Sequence, residues 1–220
     1  MKPIAHIHTD FDSKFGIPRQ SGLVPALEGC IIFEPEFRVA DALRGLDGFS
    51  HLWLIWDFSE AHREEWSPTV RPPRLGGNVR MGVFATRSPF RPNPIGLSCV
   101  EISRIEFSSA NGPIIHVRGA DLMNGTPIFD IKPYLPLTDC HPEARSGFAL
   151  ETSQRSDLIV HFSADVERLF SPEKLEALRQ VLAQDPRPQY QRDDTRIYGM
   201  NFSGKELHFS VSDGEMSVFP

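Results

Sequence analysis

Two arginines in a proline-rich segment are the cations of this chain best placed to bind an anion. The segment, residues 80–98, reads RMGVFATRSPFRPNPIGLS and contains three arginines and three prolines but no lysine or acidic residue. Each proline fixes its own φ and disfavours a helical conformation in the residue before it, which predicts a stiff, extended loop. Arg87 and Arg91 are therefore predicted to be held ready for bidentate contact with a carboxylate or phosphate. The alternative is that these arginines form solvated ion pairs and the prolines only shape the loop.

A second candidate site surrounds a turn in residues 119–139, which read GADLMNGTPIFDIKPYLPLTD. The Asn-Gly-Thr-Pro sequence within it predicts a turn between two apolar runs. Asp121 and Asp130 flank this turn, and Lys132 and Tyr134 follow it. Carboxylates at both ends of a turn can accept hydrogen bonds from a hydroxyl, an amine or backbone N–H groups. An ordinary hairpin capped by Asp121 accounts for the same pattern, and the residue types alone favour that interpretation.

Two shorter stretches could also contact a ligand. Gln20, Ser21 and Gly22 form a polar loop in which a ligand could approach the backbone. Farther along, the sequence DPRPQY predicts a rigid turn that exposes Arg187 and Tyr190. Arginine and tyrosine together suit stacking on unpaired bases, although capping of a small domain explains them as well.

The motifs of common enzyme families are absent. The sequence has no GxGxxG after a strand, no Walker loop, no GxSxG and no HExxH. His62 could form a dyad with Asp57 or Glu60, but a histidine in such a position is more often hydrogen-bonded for structural reasons. The usual nucleotide-binding, hydrolase and zinc-protease functions therefore lose their main support.

Composition and charge limit the class of protein further. A chain of 220 residues suffices for one domain, or for a large and a small one, with a core of its own. The net charge of −6 argues against a general nucleic-acid binder. Five arginines between residues 67 and 97, with no acid or lysine among them, nevertheless give a local charge of +5. One face can therefore attract anions despite the acidic total.

Three widely spaced cysteines indicate reduced thiols. Cys30, Cys99 and Cys140 are odd in number and show neither a CxxC motif nor a metal-ligand spacing with histidine. No apolar run is long enough for a signal peptide or a membrane span. We expect a cytoplasmic protein without a metal site or membrane contact.

Hydrophobic patterning predicts a mainly β fold for residues 1–145. In residues 48–59, which read GFSHLWLIWDFS, two apolar sets alternate and predict a strand buried on both faces. The spacing of apolar residues between Val39 and Leu46 predicts a short amphipathic helix before it. Further strands are predicted at residues 29–33, 81–86, 96–106 and 113–119. Many short strands and few helices are typical of a compact sheet or barrel.

The pattern changes after the polar, aperiodic residues 141–157, which predict a linker. Ser171 is a suitable helix N-cap, Pro172 suits the first helical position, and Pro186 stops the pattern. The sequence TRIYGMNFSGKELHFSVSDGEMSVF then predicts three strands joined by Ser-Gly and Asp-Gly turns. Residues 146–220 are thus predicted to form a small α+β domain that docks on the first.

Four stretches, in order along the chain, closely resemble the TsaA-like, or YaeB-like, family of tRNA methyltransferases. They are FSHLWLIWDF, RPPRLGGNVRMGVFATRSPFRPNPIGLS, DLMNGTPIFDIKPYLP and DPRPQY. The resemblance runs from about Ile17 to the C-terminus, and the block GVFATRSPFRPNPIG is long enough to be highly specific. It implies a single-sheet β-barrel methyltransferase without a Rossmann sheet, S-adenosylmethionine as cofactor, and methylation of N6 of threonylcarbamoyladenosine beside the tRNA anticodon.

The resemblance also implies roles for individual residues. Cofactor contacts would come from Gln20, Ser21, Gly22, Ser59, Glu60, Arg87, Leu97, Asp121, Leu122, Met123 and Asn124. Asp121 and Asp130 are the candidate proton acceptors, with Tyr134 to orient the reacting groups. Substrate contacts are predicted for Arg91, Lys132, Arg187 and Tyr190. The family resemblance further implies a homodimer in which one subunit's loop completes the other's site.

Two positions depart from the family pattern. Family members commonly have a histidine where Ser59 stands and an aspartate where Asn124 stands. A non-catalytic RNA- or nucleotide-binding module that has lost its chemistry through these changes is therefore an alternative. Another is a small anion-processing enzyme such as a phosphoesterase, but that requires a metal or nucleophile constellation that is not evident in the sequence.

We predict that Arg87→Ala abolishes binding of S-adenosylmethionine, because the cation that pairs with its carboxylate is removed. The melting temperature should stay nearly unchanged. Calorimetric titration and a thermal melt test both parts, and a large drop in stability would make Arg87 a structural residue instead.

Overall fold

The computed structural model describes residues 1–72, 75, 79–108, 110–151, 157–187 and 193–220. The strands are β1 (Ala5–His8), β2 (Glu28–Phe33), β3 (His51–Asp57), β4 (Thr69–Val70), β5 (Met81–Gly82), β6 (Ile95–Glu106), β7 (Ile114–Arg118), β8 (Thr126–Pro133), β9 (Ile159–Phe162), β10 (Tyr198–Phe202), β11 (Lys205–Ser212) and β12 (Glu215–Phe219). The helices are α1 (Pro136–Asp139), α2 (Phe148–Glu151), α3 (Ala164–Glu167) and α4 (Pro172–Ala183). Across the described ranges, no helix has the length and apolar character needed to span a bilayer.

Six strands close into a barrel in the order β1-β2-β7-β6-β3-β8. All six pairings are antiparallel, and β8 completes the circle by pairing with β1, where Ala5 lies opposite Ile128. Closure satisfies the backbone groups that an open sheet would leave unpaired at its edges. The mainly β architecture, with a single-sheet barrel in the first part of the chain, is therefore confirmed.

The interior of the barrel comes from the period-two alternation of its strands. In β3, Leu52 and Leu54 are fully buried inside the barrel, and Trp56 is buried at its end. The opposite face, with Trp53 and Ile55, is only partly buried. The prediction that this strand is buried on both faces is thus wrong, because barrel closure leaves its second face on the outer surface.

The prediction of a helix between Val39 and Leu46 is also wrong. The apolar residues there lie in two 3-10 turns, Ala40–Leu43 and Leu46–Gly48. Gly45 separates them with a φ of 87°, in the left-handed region that glycine adopts without steric cost. That backbone conformation cannot continue a right-handed helix, although the apolar spacing suits one.

The strand predicted at residues 81–86 is shorter than expected. It ends at Gly82, and Val83–Ala85 form a 3-10 turn. The backbone N–H of Val83 donates to the carbonyl of Pro68 at 3.0 Å, which ties the turn to the neighbouring loop. The chain can therefore leave the β4–β5 ladder and enter the proline-rich segment.

A second sheet, in the order β10-β11-β12-β9, packs against helix α4. The side chain of Ser171 accepts a hydrogen bond from the backbone N–H of Lys174, which confirms the predicted N-cap. The three-strand meander is confirmed too, and both turn residues preceding glycine, Ser203 and Asp213, have φ of 50°. The sequence pattern did not predict β9, which pairs in parallel with β12.

The hydrophobic core of this second sheet includes residues from the N-terminal part of the chain. Phe11, Val24 and Leu27 belong to the same buried cluster as the apolar face of α4. Near them, Lys174 contacts both carboxylate oxygens of Asp10, at 2.5 and 2.6 Å, and Asp10 is only 8% exposed. The segment before β2 is thus fastened to the second sheet by apolar packing and by an ion pair.

The division of the chain near residue 145 stays a prediction. Within the predicted linker, residues 148–151 form the short helix α2, and residues 152–156 lie outside the described residues.

We predict that Lys174→Met lowers the free energy of unfolding by about 2 kcal/mol, because the largely buried carboxylate of Asp10 loses its partner. The partial exposure of Lys174 keeps the effect below that of a fully buried pair. Chemical denaturation measures it, with Lys205→Met, at an exposed position on β11, as a control that changes stability by less than about 0.5 kcal/mol. Equal stability of the two variants would contradict the importance of the ion pair.

Candidate functional site

A cleft of about 760 Å³ opens at the end of the barrel where β3 finishes and β6 begins. Asp57 at the end of β3 pairs with Ile95 at the start of β6, so the antiparallel register brings these termini together. A volume of this size is typical of sites for small molecules and nucleotide cofactors. Its lining includes residues of the loops at 17–20, 57–61 and 86–93 together with Asp121, Met123 and Thr126.

The proline-rich segment forms one wall and is fastened by its own side chains. Nη1 of Arg91 donates to the carbonyl oxygens of Thr86 and Ser88, at 3.1 and 3.4 Å. Arg63 stacks over the ring of Phe90, with its guanidinium carbon 3.8 Å from the ring centroid. Part of the guanidinium of Arg91 therefore holds the loop together, although the residue also lines the cleft.

Arg87 is exposed and lines the same wall. Its Nη1 donates to the side-chain oxygen of Gln20 across the cleft. Among the described residues, no carboxylate lies within ion-pair distance of Arg87 or Arg91. The solvated ion pairs of the alternative interpretation are thus not found there, and most of the donors of Arg87 are available for an anion.

A chain of three buried or partly buried groups forms the base of the cleft. The indole Nε1–H of Trp56 donates to Oγ of Ser98 at 3.0 Å, and the Ser98 hydroxyl donates to Oδ1 of Asp121 at 2.6 Å. Ser98 is only 1% exposed. Because Ser98 accepts from the indole, its one proton is directed at the carboxylate, which fixes the orientation of Asp121.

The environment of Asp121 changes its acidity. Burial raises the pKa of Asp121 above the ordinary aspartate value. The Ser98 hydroxyl, backbone N–H groups including that of Ser21, and the positive charge of Arg87 each lower the pKa, but burial is the largest influence. A carboxylate with a raised pKa in a cleft is suited to accept a proton near neutral pH.

Trp56 can lie at the base of the cleft only because residue 96 is a glycine. A Cβ atom on Gly96 would lie 2.1 Å from the indole ring, far inside van der Waals contact. Phe58 packs against the same ring, with centroids 4.2 Å apart. The two aromatic rings, with Leu97 and Met123, contribute to the apolar part of the cleft surface.

The loop of Gln20, Ser21 and Gly22 is docked on the barrel by its backbone and hydroxyl groups. Oγ of Ser21 accepts from the backbone N–H of Cys99 at 3.2 Å. The N–H of Gly22 donates to the carbonyl of Gly119 at 2.8 Å, and Gly22 has φ of 77°. Of the three, only Gln20 lines the cleft, and the other two position it.

Side chains of the turn after β7 lie in two different places, some in the cleft and one in the core. Asp121 and Met123 line the cleft, and Leu122 is 1% exposed inside the barrel. Asn124 points elsewhere: its Nδ2 donates to Asp12 at 3.0 Å. An aspartate at this position would bring two carboxylates together there, so asparagine suits this local structure.

Several predicted site residues lie away from the cleft. Asp130 and Lys132 form an ion pair at 3.1 Å in β8, on the same outer face as Trp53. The ring of Tyr134 packs against Trp53, with centroids 5.7 Å apart. None of these residues lines the cleft.

The remaining predicted substrate contacts belong to the C-terminal part of the chain. Arg187 is partly buried and donates through Nε and Nη2 to the carboxylate of Asp185, at 2.8 and 3.1 Å. Tyr190 lies outside the described residues. Of the other predictions, Ser59, Glu60 and Leu97 do line the cleft.

Sequence reasoning did not identify Trp56 and Ser98 as site residues. The signal for Ser98 is a hydroxyl at an inward position of an otherwise apolar alternation in β6. The Asp57–His62 dyad does form, with Oδ1 and Nε2 2.7 Å apart, and Asp57 lines the cleft. Among the described residues, no group of three histidine, cysteine or acidic side chains could hold a metal ion.

The closed antiparallel barrel and its cleft, with a fixed carboxylate and an available arginine, define a non-Rossmann β-barrel protein with a nucleotide-sized ligand site. The family model of the tRNA-methyltransferase O N-terminal domain matches residues 6–140, and that of the TrmO C-terminal domain matches residues 155–220. The chain belongs to the TrmO family, which confirms the resemblance found in its motifs.

Individual relatives agree with this assignment. The tRNA (adenine(37)-N6)-methyltransferase of Escherichia coli is 41% identical over 224 residues, which cover 98% of this chain and 94% of the relative. A Pseudomonas aeruginosa protein described as a putative S-adenosylmethionine-dependent methyltransferase is 40% identical, covering 95% of this chain and 91% of the relative. A crystal structure of TrmO from Pseudomonas aeruginosa superimposes with a TM-score of 0.76 at 32% identity, covering 99% of this chain and 95% of the other.

Proposed function

We propose that this protein transfers a methyl group from S-adenosylmethionine to N6 of adenosine 37 in tRNA, where that adenosine carries a threonylcarbamoyl group. The observation that carries the proposal is the fixed carboxylate of Asp121 in one cleft with Arg87, in a chain that matches TrmO relatives over nearly its whole length. The names of those relatives support the reaction and the cofactor.

The lining of the cleft fits S-adenosylmethionine. An adenine ring can pack on the apolar surface of Trp56, Phe58 and Leu97. The guanidinium of Arg87 can bind an amino-acid carboxylate through two parallel hydrogen bonds. The acidic side chains Asp57 and Glu60 also line the cleft, where Asp57 contacts His62 at 2.7 Å and Glu60 pairs with Lys14 at 3.1 Å. When bound, S-adenosylmethionine supplies an electrophilic methyl group.

The proposed substrate class follows from the anions that the cleft can accept. The threonylcarbamoyl group carries a carboxylate, and a second carboxylate belongs to the cofactor. Arg87 and Arg91 lie on the cleft wall without carboxylate partners among the described residues, so both anions have a candidate cation. An unmodified adenosine would leave one of these arginines without its partner.

Asp121 is the residue that we assign as proton acceptor. The ureido N6 is a weak nucleophile, so its attack on the methyl group requires close alignment and removal of the N6 proton. Transfer of the methyl group to N6 would break the sulfonium S–CH₃ bond and leave S-adenosylhomocysteine, while Oδ of Asp121 would accept the N6 proton and later release it to solvent. Ser98 and Trp56 hold the carboxylate in one orientation throughout. Asp130 and Tyr134, the other candidates from the sequence, do not line the cleft.

The proposal includes a homodimer in the cytoplasm. Exposed apolar side chains beside the outer barrel face, among them Leu135 at 45% and Leu137 at 99% exposed, support burial against a second copy. The three free cysteines support a reducing compartment.

Ser98→Ala should move the acidic side of the pH profile of kcat/KM to higher pH. Ser98 lowers the pKa of Asp121, so its removal raises that pKa further. Because the deprotonated form accepts the proton, activity is then lost at a higher pH as the solution is acidified. Ser103→Ala, an exposed position on the same strand, is the matched control, and an unchanged profile in Ser98→Ala would exclude Asp121 as the acceptor held by Ser98.

The reaction itself is tested by transfer of labelled methyl from S-adenosylmethionine to two tRNA preparations. One carries the threonylcarbamoyl group and the other lacks it, and we expect label only in the first. Equal labelling of both would refute the proposed substrate. Binding of the cofactor and the tRNA without any labelling would instead support the non-catalytic binding module. The variants Ser59→His and Asn124→Asp would then be tested for methyl transfer.

A further inference from the structure

Two large aromatic side chains stack on each other at the surface beside the cleft. The rings of Trp66 and Phe84 have centroids 6.1 Å apart and an angle of 30° between their planes. Trp66 is 52% exposed and Phe84 is 72% exposed. Neither residue belongs to the two buried hydrophobic clusters. Their apolar surface therefore contributes little to folding and is available to a partner.

The local backbone holds this pair in a fixed position. The β4–β5 ladder pairs Val70 with Met81, and the N–H of Val83 donates to the carbonyl of Pro68. Nη1 of Arg80 also donates to the hydroxyl of Thr69 at 3.0 Å. The two chain segments that carry the aromatic rings are thus joined by backbone and side-chain hydrogen bonds. We call the surface formed by Trp66, Phe84, Arg71 and Arg80 the aromatic shelf.

The aromatic shelf and the cleft lie close together along the chain. Thr86 lines the cleft, and Phe84 lies two residues before it in the sequence. Consecutive Cα atoms are about 3.8 Å apart. The shelf therefore begins within about 8 Å of the cleft wall along the chain. A polymer whose reacting unit enters the cleft would place a neighbouring unit over Phe84.

The aromatic shelf carries the positive charge of its two arginines, although the exposed Glu64 and Glu65 immediately precede Trp66. Residues 66–91 contain five arginines and no aspartate, glutamate or lysine, in a chain whose net charge is −6. Arg71 and Arg80 of the shelf are both exposed. At the interface of a twofold dimer, each copy presents the same surface to the other. An interface centred on the aromatic shelf would therefore bring the arginines of the two copies together. A polyanion is the partner that the charge favours.

We propose that the aromatic shelf binds an unpaired nucleotide of the anticodon loop next to the adenosine in the cleft. One base stacks on Phe84 or Trp66, and Arg71 and Arg80 contact the adjoining phosphates. The inference depends on the proposed function, because it takes the tRNA anticodon loop as the substrate. It assigns the recognition of loop nucleotides to the first part of the chain.

The test compares variants with an anticodon stem-loop RNA that carries threonylcarbamoyladenosine. Trp66→Ala and Phe84→Ala should each weaken binding by about 5-fold to 100-fold, as expected for a lost base–aromatic stack. The KM for the RNA should rise while kcat and the affinity for S-adenosylmethionine stay unchanged. Trp66→Phe should restore most of the affinity, because it retains an aromatic face.

Phe107→Ala is the matched control, since Phe107 is 43% exposed and follows the end of β6 that is remote from the cleft. It should bind the RNA like the wild type. Arg80→Ala should reduce the slope of log affinity against log salt by about 0.7, the value for one phosphate contact on a single strand.

The outcomes separate this inference from the proposed function. If the wild type methylates the RNA and both shelf variants keep the affinity and KM of Phe107→Ala, the shelf does not bind RNA and only this inference fails. If the shelf variants change a wild-type dimer into a monomer in size-exclusion chromatography, the aromatic pair belongs to an interface between copies, which also overturns it. If the wild type neither binds nor methylates the RNA, the proposed function fails and the inference fails with it.

Discussion

The packing of the Trp56 ring over Gly96 is the contact on which the whole site depends. Since no side chain at residue 96 competes for the space, the indole lies across the start of β6 and its N–H reaches Ser98. Because Oγ of Ser98 accepts that hydrogen bond, the hydroxyl proton is directed at the carboxylate of Asp121. A single close approach between two adjacent strands therefore determines where the carboxylate points, and burial beside it determines how acidic the carboxylate is.

Rigidity in the arginine wall comes from a different source. Pro89, Pro92 and Pro94 restrict the backbone, and Arg91 binds the carbonyl groups of its own loop. The neighbouring Arg87 can then face the cleft with little further loss of side-chain freedom on binding. The two arginines that looked alike in the sequence thus differ: Arg91 uses one nitrogen to hold its own loop and still lines the cleft, and Arg87 has most of its donors available to a ligand.

The sequence predicted more of the fold than of the site. Alternation and turn residues identified β2, β3, β6 and β7 of the barrel and the C-terminal meander, because these signals are local. They missed β1, β8 and β9, the last of which pairs with a strand more than fifty residues away. They also predicted a helix where Gly45 separates two 3-10 turns. Motif spacing grouped Asp121 with Asp130 and Tyr134, but strand alternation and barrel closure put only Asp121 in the cleft. Which residues meet across a closed sheet depends on register, which no short motif records.

The N-terminal segment that supplies Gln20 also supplies Phe11, Val24 and Leu27 to the core beneath α4. Ile17 belongs to both environments, since it lines the cleft and packs against that core. The residues that line the cleft therefore all come from the first part of the chain, but the wall that Ile17 forms is supported by a core that the C-terminal part completes. Changes in the interior of the small C-terminal sheet can therefore alter ligand affinity at a distance, through the position of Ile17 in the cleft wall.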